Sequence, residues 1–247
     1  MNFFFIFILG LCFGSFINVL IYRVPIGLSI LTSSQCIYCK KKILIFDNIP
    51  VLSFLLLKGR TRCCGKKIKI QYPIVEFIFA LSFIYSFYFS DDIFNFIFLS
   101  MFFFILTAIF FIDWQHLIIP HVFSWSLIAI GLIYNFIFNQ QILDYLFGAI
   151  LGALLVLITN GIYFVTKKKQ GMGMGDVFLL SGIGGCLGLV NCFISFFWAS
   201  ILATFYIIFS GQLSNLQAKI AFGSFLCLAA ASLMILNNFY SLSNFFY

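Results

Sequence analysis

The sequence is poor in charge, and above all in acidic residues. Only 9% of its 247 residues are charged, and seven of these are Asp or Glu. A typical soluble domain carries about a quarter of its residues as charged side chains. The shortage excludes soluble globular proteins, and the same composition excludes intrinsically disordered, collagen-like and disulfide-scaffold chains.

What the sequence contains instead is largely apolar. Apolar residues make up 63% of the chain and aromatic residues 21%, and the mean hydropathy is +1.13. Long unbroken apolar runs are typical of transmembrane helices and not of the alternating strands of an outer-membrane barrel. We therefore expect an all-α polytopic membrane protein embedded in a lipid bilayer.

The apolar runs predict about eight transmembrane helices and one sizeable polar loop. A run of ~20 residues suffices to cross a bilayer, and the 34 residues of 177–210 are too many for one crossing. That run is expected to form two short helices joined by a turn at Gly188-Leu189-Val190-Asn191. The remaining runs, with one helix each, are 3–21, 74–89, 93–112, 122–138, 142–165 and 220–236.

The basic residues predict the orientation. Lys and Arg number 14, and they are confined to 23–69, 167–169 and Lys219. Since short basic loops stay in the cytoplasm, all three are expected there, with both termini outside, if 177–210 crosses twice. The basic excess then requires no nucleic acid partner.

The expected organisation is a first transmembrane helix over 1–21, a basic cytoplasmic loop subdomain over 22–73 and a membrane-embedded domain of about seven helices over 74–247.

Four of the eight cysteines lie in the polar loop, namely Cys36, Cys39, Cys63 and Cys64. Two pairs of thiolates at this separation are typical of a tetrahedral zinc site, and a cytoplasmic loop keeps thiols reduced. The second pair is vicinal, however, and adjacent residues rarely both reach one ion. A CxxC pair also suits a thiol redox centre. Zinc binding, redox chemistry and free thiols therefore all remain open from the spacing alone.

Two acidic residues stand at the edges of apolar runs. Asp113 ends the third run, and Asp176 follows the glycine-rich segment 171–175. An ionisable group beside hydrocarbon is costly, which makes each a functional candidate. Two carboxylates that approach each other can share one proton, so that one activates water while the other polarises a carbonyl. The alternative is that both are helix-end acids facing interfacial water, with Asp176 as an N-cap.

Several short motifs follow one another in a specific order. Together they resemble the signatures of the type IV prepilin peptidases, which are membrane aspartic proteases with a GxGD motif, and the resemblance runs through nearly the whole chain. The segments are GSFINVLIYRVP at 14–25, DNIPVLS at 47–53, YPIVE at 72–76, Ile112-Asp113 with Ile119-Pro120, GMGD at 173–176 and AFGSFL at 221–226.

The resemblance implies a function and a location. The enzyme would remove the leader peptide of type IV prepilins and type II secretion pseudopilins at the cytoplasmic face of the bacterial inner membrane, with Asp113 and Asp176 as its catalytic dyad. It would also methylate the new N-terminal amine with S-adenosylmethionine. The domain 74–247 would be the peptidase, and the loop 22–73 would be associated with methylation and hold zinc.

The sequence departs from the family pattern at four positions. Ile37 stands where Pro is usual in the first cysteine pair, and Thr61 stands where the first cysteine of the second pair is usual, so that Cys63 is extra. His121 replaces an Asp and Ser224 replaces a Pro. None of these differences is expected to touch either aspartate, and the loop differences bear more on methylation than on cleavage.

Two other functions remain open at this point. The first is a membrane thiol oxidoreductase that uses Cys36 and Cys39. The second is a transporter with Asp113 and Asp176 as proton or ion sites. No oligomeric state is assigned.

Overall fold

The computed structural model describes residues 2–138, 141–168, 171–211 and 220–245, without the side chains of 45 and 240–245. Within these ranges the regular secondary structure is helical, and two isolated β-bridges are the only extended pairings. The helices are α1 Phe3–Arg23, α2 Leu52–Leu56, α3 Gln71–Phe89, α4 Ile93–His116, α5 His121–Phe138, α6 Ile142–Lys167, α7 Met174–Leu187, α8 Leu189–Phe209 and α9 Phe222–Phe245.

Seven of these helices are long and apolar enough to cross a membrane, and α7 is a shorter apolar helix. The prediction of an all-α polytopic membrane protein is confirmed. At ~1.5 Å per residue, the 14 residues of α7 extend only about 21 Å, which is less than the ~30 Å hydrocarbon thickness of a bilayer.

The long run 177–210 does form two helices, but the details differ from the expectation. The break is a single residue, Gly188, whose φ of 82° interrupts the helical backbone. Leu189 to Asn191 already belong to α8, which has an ordinary length of 21 residues. Only α7 is therefore short.

Lys169 and Lys219, on which the predicted orientation partly depends, lie outside the described residues.

Helix ends also differ from the predicted ones. Tyr22 and Arg23, which were expected in the polar loop, belong to α1, because helical hydrogen bonding continues past the end of the predicted apolar run. In the same way α4 extends four residues beyond Ile112. Asp113 consequently lies inside a helix, one turn before its end.

The first compact unit comprises residues up to Ala108. Its core lies where α1 packs along α3, and Ile6, Ile17, Val75 and Phe79 are almost fully buried there. The polar loop connects these two helices. One ion pair fastens the loop internally, because Arg62 Nη2 lies 2.9 Å from Asp47 Oδ1.

The second compact unit begins at Ile109. Its centre is α7, which packs against both α5 and α6 and whose residues from Leu179 onward are nearly all buried. Small residues permit this close approach, as is common between transmembrane helices. A Cβ on Gly184 would overlap the carbonyl of Gly148 on α6.

We expect Gly184→Ala to destabilise the protein by ~1–3 kcal/mol, because the added methyl has no room and the α6–α7 contact must open. The measurement is thermal unfolding of the detergent-solubilised protein followed by circular dichroism. Gly161→Ala is the matched control, since Gly161 is also helical but a Cβ added there would meet no atom within 4 Å. Equal melting temperatures for the two variants would contradict this packing.

Candidate functional site

Asp113 is a buried carboxylate with defined hydrogen-bond donors. Its side chain is only 4% exposed. The Ser224 backbone N–H donates to Asp113 Oδ2 at 2.8 Å, and the Ser224 hydroxyl lies 3.2 Å from the same oxygen. The hydroxyl also lies 3.0 Å from the Phe110 carbonyl, and its single proton can serve only one of these acceptors at a time. The start of α9 thus holds Asp113 on α4.

Asp176 is held by the turn that precedes it. It is 8% exposed and occupies the third position of α7. Its Oδ2 accepts the N–H of the N-cap residue Gly173 at 3.1 Å, which is the carboxylate half of a capping box. The alternative that Asp176 is itself the N-cap is wrong, because the helix begins at Met174.

The glycine-rich segment before α7 is also tied to α6. Asn160 Oδ1 accepts the N–H groups of Gly171 and Met172 at 2.9 and 3.3 Å. The sequence interpretation missed Asn160, although a polar side chain inside an apolar run is a recognisable signal. Asn160 and Asp176 together fix both ends of the turn.

Asp113 and Asp176 lie in neighbouring parts of the second unit, since glycines beside each of them contact the same residue, Ile119. Ile119 connects their surroundings, because it packs against two glycine backbones. A Cβ on Gly175 would lie 2.8 Å from Ile119 Cβ, and a Cβ on Gly223 would lie 2.5 Å from Ile119 Cδ1. Gly175 precedes Asp176, and Gly223 precedes the residue that holds Asp113. Two buried carboxylates therefore belong to one packed cluster of the second unit.

The expectation that no departure from the family pattern touches an aspartate is wrong for Ser224. A proline at this position would have no N–H, whereas Ser224 places both its N–H and its hydroxyl at Asp113. The contact joins residues 111 positions apart, which explains why the sequence alone did not reveal it.

The four loop cysteines form one cluster in the first unit. Their sulfur atoms all lie within 4.8 Å of one another. Individual Sγ–Sγ distances are 3.2 Å for Cys39 and Cys63, 3.8 Å for Cys36 and Cys64, and 3.9 Å for Cys63 and Cys64. Four sulfurs around a tetrahedral zinc ion stand about 3.8 Å apart, given a Zn–S bond of ~2.3 Å. Both vicinal cysteines thus reach a common centre, contrary to the expectation from their spacing.

Two similar turns build this cluster. In the first, Cys36 N–H donates to Lys41 O, and Lys40 N–H donates to Cys36 O. The same two bonds recur 25 residues later, from Thr61 to Lys66 and from Gly65 to Thr61. Thr61 therefore occupies the position of Cys36 in the second turn.

The second turn has no cysteine at Thr61 but still supplies two sulfur atoms to the cluster. The first of these belongs to Cys64, which occupies the position of Cys39 in the first turn. Cys63 is in register with Tyr38 and supplies the fourth sulfur from this different position. The cysteine that seemed extra from spacing is thus the one that completes the cluster.

Cys36 is prepared to act as a ligand. The backbone N–H of Cys39, and to a lesser extent that of Tyr38, lowers the pKa of the Cys36 thiol to about 6, although burial acts in the opposite direction. A thiolate is the metal-binding form of cysteine. The remaining cysteines Cys186, Cys192 and Cys227 are buried, and Cys12 is exposed.

Comparisons with known proteins identify a family. Residues 8–90 match the family described as "Bacterial Peptidase A24 N-terminal domain", and residues 100–208 match "Type IV leader peptidase family". A Pectobacterium carotovorum protein named "Prepilin leader peptidase/N-methyltransferase" is 31% identical over 94% of this chain and 92% of its own length. The chain belongs to the type IV leader peptidase family.

Other relatives with the same name support this membership. The protein from Klebsiella pneumoniae is 34% identical over 74% of this chain and 84% of its own length. The protein from Vibrio cholerae is 31% identical over 79% of this chain and 81% of its own length. No solved structure matches the sequence. Membership of the type IV leader peptidase family favours the peptidase hypothesis over the thiol oxidoreductase and the transporter.

The cysteine geometry predicts one bound zinc ion per chain, measured by inductively coupled plasma mass spectrometry on the purified protein. Cys39→Ser and Cys63→Ser should each lose the ion, because three thiolates hold zinc more weakly than four. Cys12→Ser, which removes an exposed cysteine outside the cluster, should retain it. Full zinc content in the Cys63→Ser variant would show that Cys63 is not a ligand.

Proposed function

We propose that this protein removes the leader peptide of type IV prepilins and pseudopilins and methylates the new N-terminus, at the cytoplasmic face of the bacterial inner membrane. The names of its relatives support both activities. The observation that carries the cleavage reaction is the pair of buried aspartates, Asp113 and Asp176, in one packed cluster.

Cleavage proceeds by general acid–base catalysis on the two aspartates. Placing two negative charges side by side in a buried site is costly, so the pair retains one proton between them. The ionised aspartate takes a proton from water, whose oxygen attacks the scissile carbonyl. The protonated aspartate donates to the carbonyl oxygen as charge develops there. Collapse of the tetrahedral intermediate then expels the pilin amine with a proton.

The turn before Asp176 suits an extended peptide substrate. Asn160 and Asp176 fix the segment Gly171–Gly173. Gly173 is exposed and has no side chain, so that another chain can approach its backbone closely, whereas Tyr163 packs against Gly171. A prepilin leader that ends in glycine fits such a narrow approach.

Methylation requires a donor, for which S-adenosylmethionine is the proposed molecule. The amine lone pair forms the new C–N bond, the C–S bond breaks with its electrons left on sulfur, and the amine releases a proton. The residues proposed for this second activity belong to the first unit, in the loop between α1 and α3. The division into a methylation-associated loop and a peptidase domain over 74–247 stays a prediction.

Zinc gives the loop its shape in this proposal. The loop has few buried apolar residues, so it lacks a core of its own. A tetrahedral metal site can supply the missing folding free energy. Cys36, Cys39, Cys63 and Cys64 would hold the ion, and it takes no part in cleavage.

Asp113→Asn and Asp176→Asn should each reduce prepilin cleavage by at least roughly 1,000-fold, because an amide neither removes a proton from water nor shares one with the other carboxyl. The measurement is the rate of leader release from a purified prepilin in proteoliposomes. Asp91→Asn, at an exposed turn between α3 and α4, should cleave like the wild type. Efficient processing by either site variant would refute the mechanism.

Ser224→Ala tests the support of Asp113. The variant keeps the backbone donor but loses the hydroxyl, and a lost hydrogen bond of ~1 kcal/mol corresponds to a roughly five-fold lower kcat. KM should change little, since Ser224 is not expected to contact the peptide. Ser232→Ala removes a hydroxyl on the same helix that bonds only to Ala229 O, and it is the matched control. An unchanged kcat in Ser224→Ala would show that the hydroxyl does not assist Asp113.

A further inference from the structure

The first unit contains a cavity that neither the aspartates nor the cysteine cluster uses. Its volume is about 370 Å³, which falls within the ~300–1,000 Å³ typical of small-molecule pockets. One wall is a face of α1, and the other walls come from the polar loop. Its polar lining consists of Ser15, Arg23, Thr32, Ser34 and Asn48.

Arg23 brings a buried positive charge to this cavity. Only 8% of the residue is exposed. Its guanidinium donates to four loop carbonyls, those of Ser29, Ile30, Thr32 and Ser33, at 2.7 to 3.3 Å. No carboxylate among the described residues forms an ion pair with it. Carbonyl dipoles orient the group but leave its charge uncompensated, which favours an anionic group in the cavity.

Glu76 places a buried carboxyl group behind the same cavity. It is 6% exposed. Its Oε2 accepts the Val51 N–H at 2.7 Å, and it also bonds to the Ser15 hydroxyl. Ser15 and Pro50, the residue before Val51, both line the cavity. In the part of the chain that the structure describes, no Lys or Arg pairs with Glu76.

One loop residue next to the cavity has a strained backbone. Val51 has a φ of 59°, which is an unfavourable conformation for a β-branched residue. The hydrogen bond to Glu76 helps to hold it there. A strained residue that the surrounding structure maintains is typical of a preformed binding site.

We propose that this cavity binds the methyl donor S-adenosylmethionine, an inference that rests on the proposed methylation activity. The carboxylate of the donor fits Arg23, whose charge is not compensated by a carboxylate of the described residues. Glu76 lies behind Ser15, outside the lining, and holds the loop at this wall of the cavity. Phe16, also in the lining, provides an aromatic surface for the adenine ring.

The test measures binding and not turnover. The probe is S-adenosylhomocysteine, which lacks the transferable methyl, in equilibrium dialysis against the full-length protein in nanodiscs. Arg23→Gln should weaken binding roughly ten-fold or more, because a charged hydrogen bond is lost. Asn48→Trp should do the same by filling the cavity from an exposed loop position. Lys42→Gln, which removes an exposed charge of the same loop, should bind within about two-fold of the wild type.

Prepilin cleavage, measured in parallel, shows that the second unit of each variant is folded, and retained zinc shows that its loop is folded. Wild-type affinity in both Arg23→Gln and Asn48→Trp would overturn the proposed site while leaving the methylation proposal intact. Failure of the wild-type protein both to bind the probe and to methylate pilin would overturn the methylation proposal itself.

A phospholipid headgroup is the other anionic molecule that could meet Arg23. Native mass spectrometry in nanodiscs with and without phosphatidylglycerol distinguishes it. Loss of retained phosphatidylglycerol in Arg23→Gln, with unchanged affinity for the probe, would assign the cavity to lipid and contradict the proposal.

Discussion

The close approach of α7 to α5 and α6 is the constraint on which the second unit depends. An ordinary side chain at Gly184 would overlap the α6 backbone, and one at Gly152 would overlap the α7 backbone at Leu180. With small residues at these crossings, a short apolar helix is buried along most of its length. Its first turn has little freedom as a result, and Asp176 on that turn is held in place. The capping bond from Gly173 and the two bonds to Asn160 complete this fixation.

In the first unit, single polar side chains hold the loop in place through hydrogen bonds. Asn18 donates to the Tyr72 carbonyl at 3.0 Å and so joins α1 to the start of α3. Arg23 gathers four carbonyls of the loop, and Glu76 holds the Val51 N–H. Such bonds are strong where water is excluded, and leaving any of these groups unpaired would be costly. The loop therefore takes a defined shape although it has almost no apolar core.

Hydropathy and helix length were sufficient to predict most of the fold, because a membrane restricts the chain to helices whose length matches its thickness. The division of 177–210 into two helices was also predictable from length and charge. The exact ends of the helices were not predictable. Asp176 is the third residue of α7 because the helix begins at Met174, after the N-cap Gly173. Backbone hydrogen bonding decides this start over two or three residues.

The site was predictable in its residue types and less so in its contacts. Buried carboxylates at membrane edges are costly enough to identify Asp113 and Asp176 as candidates. The bonds from Ser224 to Asp113 depend on how α9 packs, which no local pattern encodes. Spacing was misleading for Cys63, since the fourth sulfur reaches the cluster from a different position of a repeated turn.

Asp113 and Asp176 are proposed to act as one catalytic unit. The most direct measurement compares single-turnover cleavage of a prepilin by Asp113→Asn, by Asp176→Asn and by the double variant. Residues that act together are strongly non-additive. We expect the double variant to be no slower than the slower single variant. Losses that multiply, so that the double variant falls by the product of the two single effects, would contradict it.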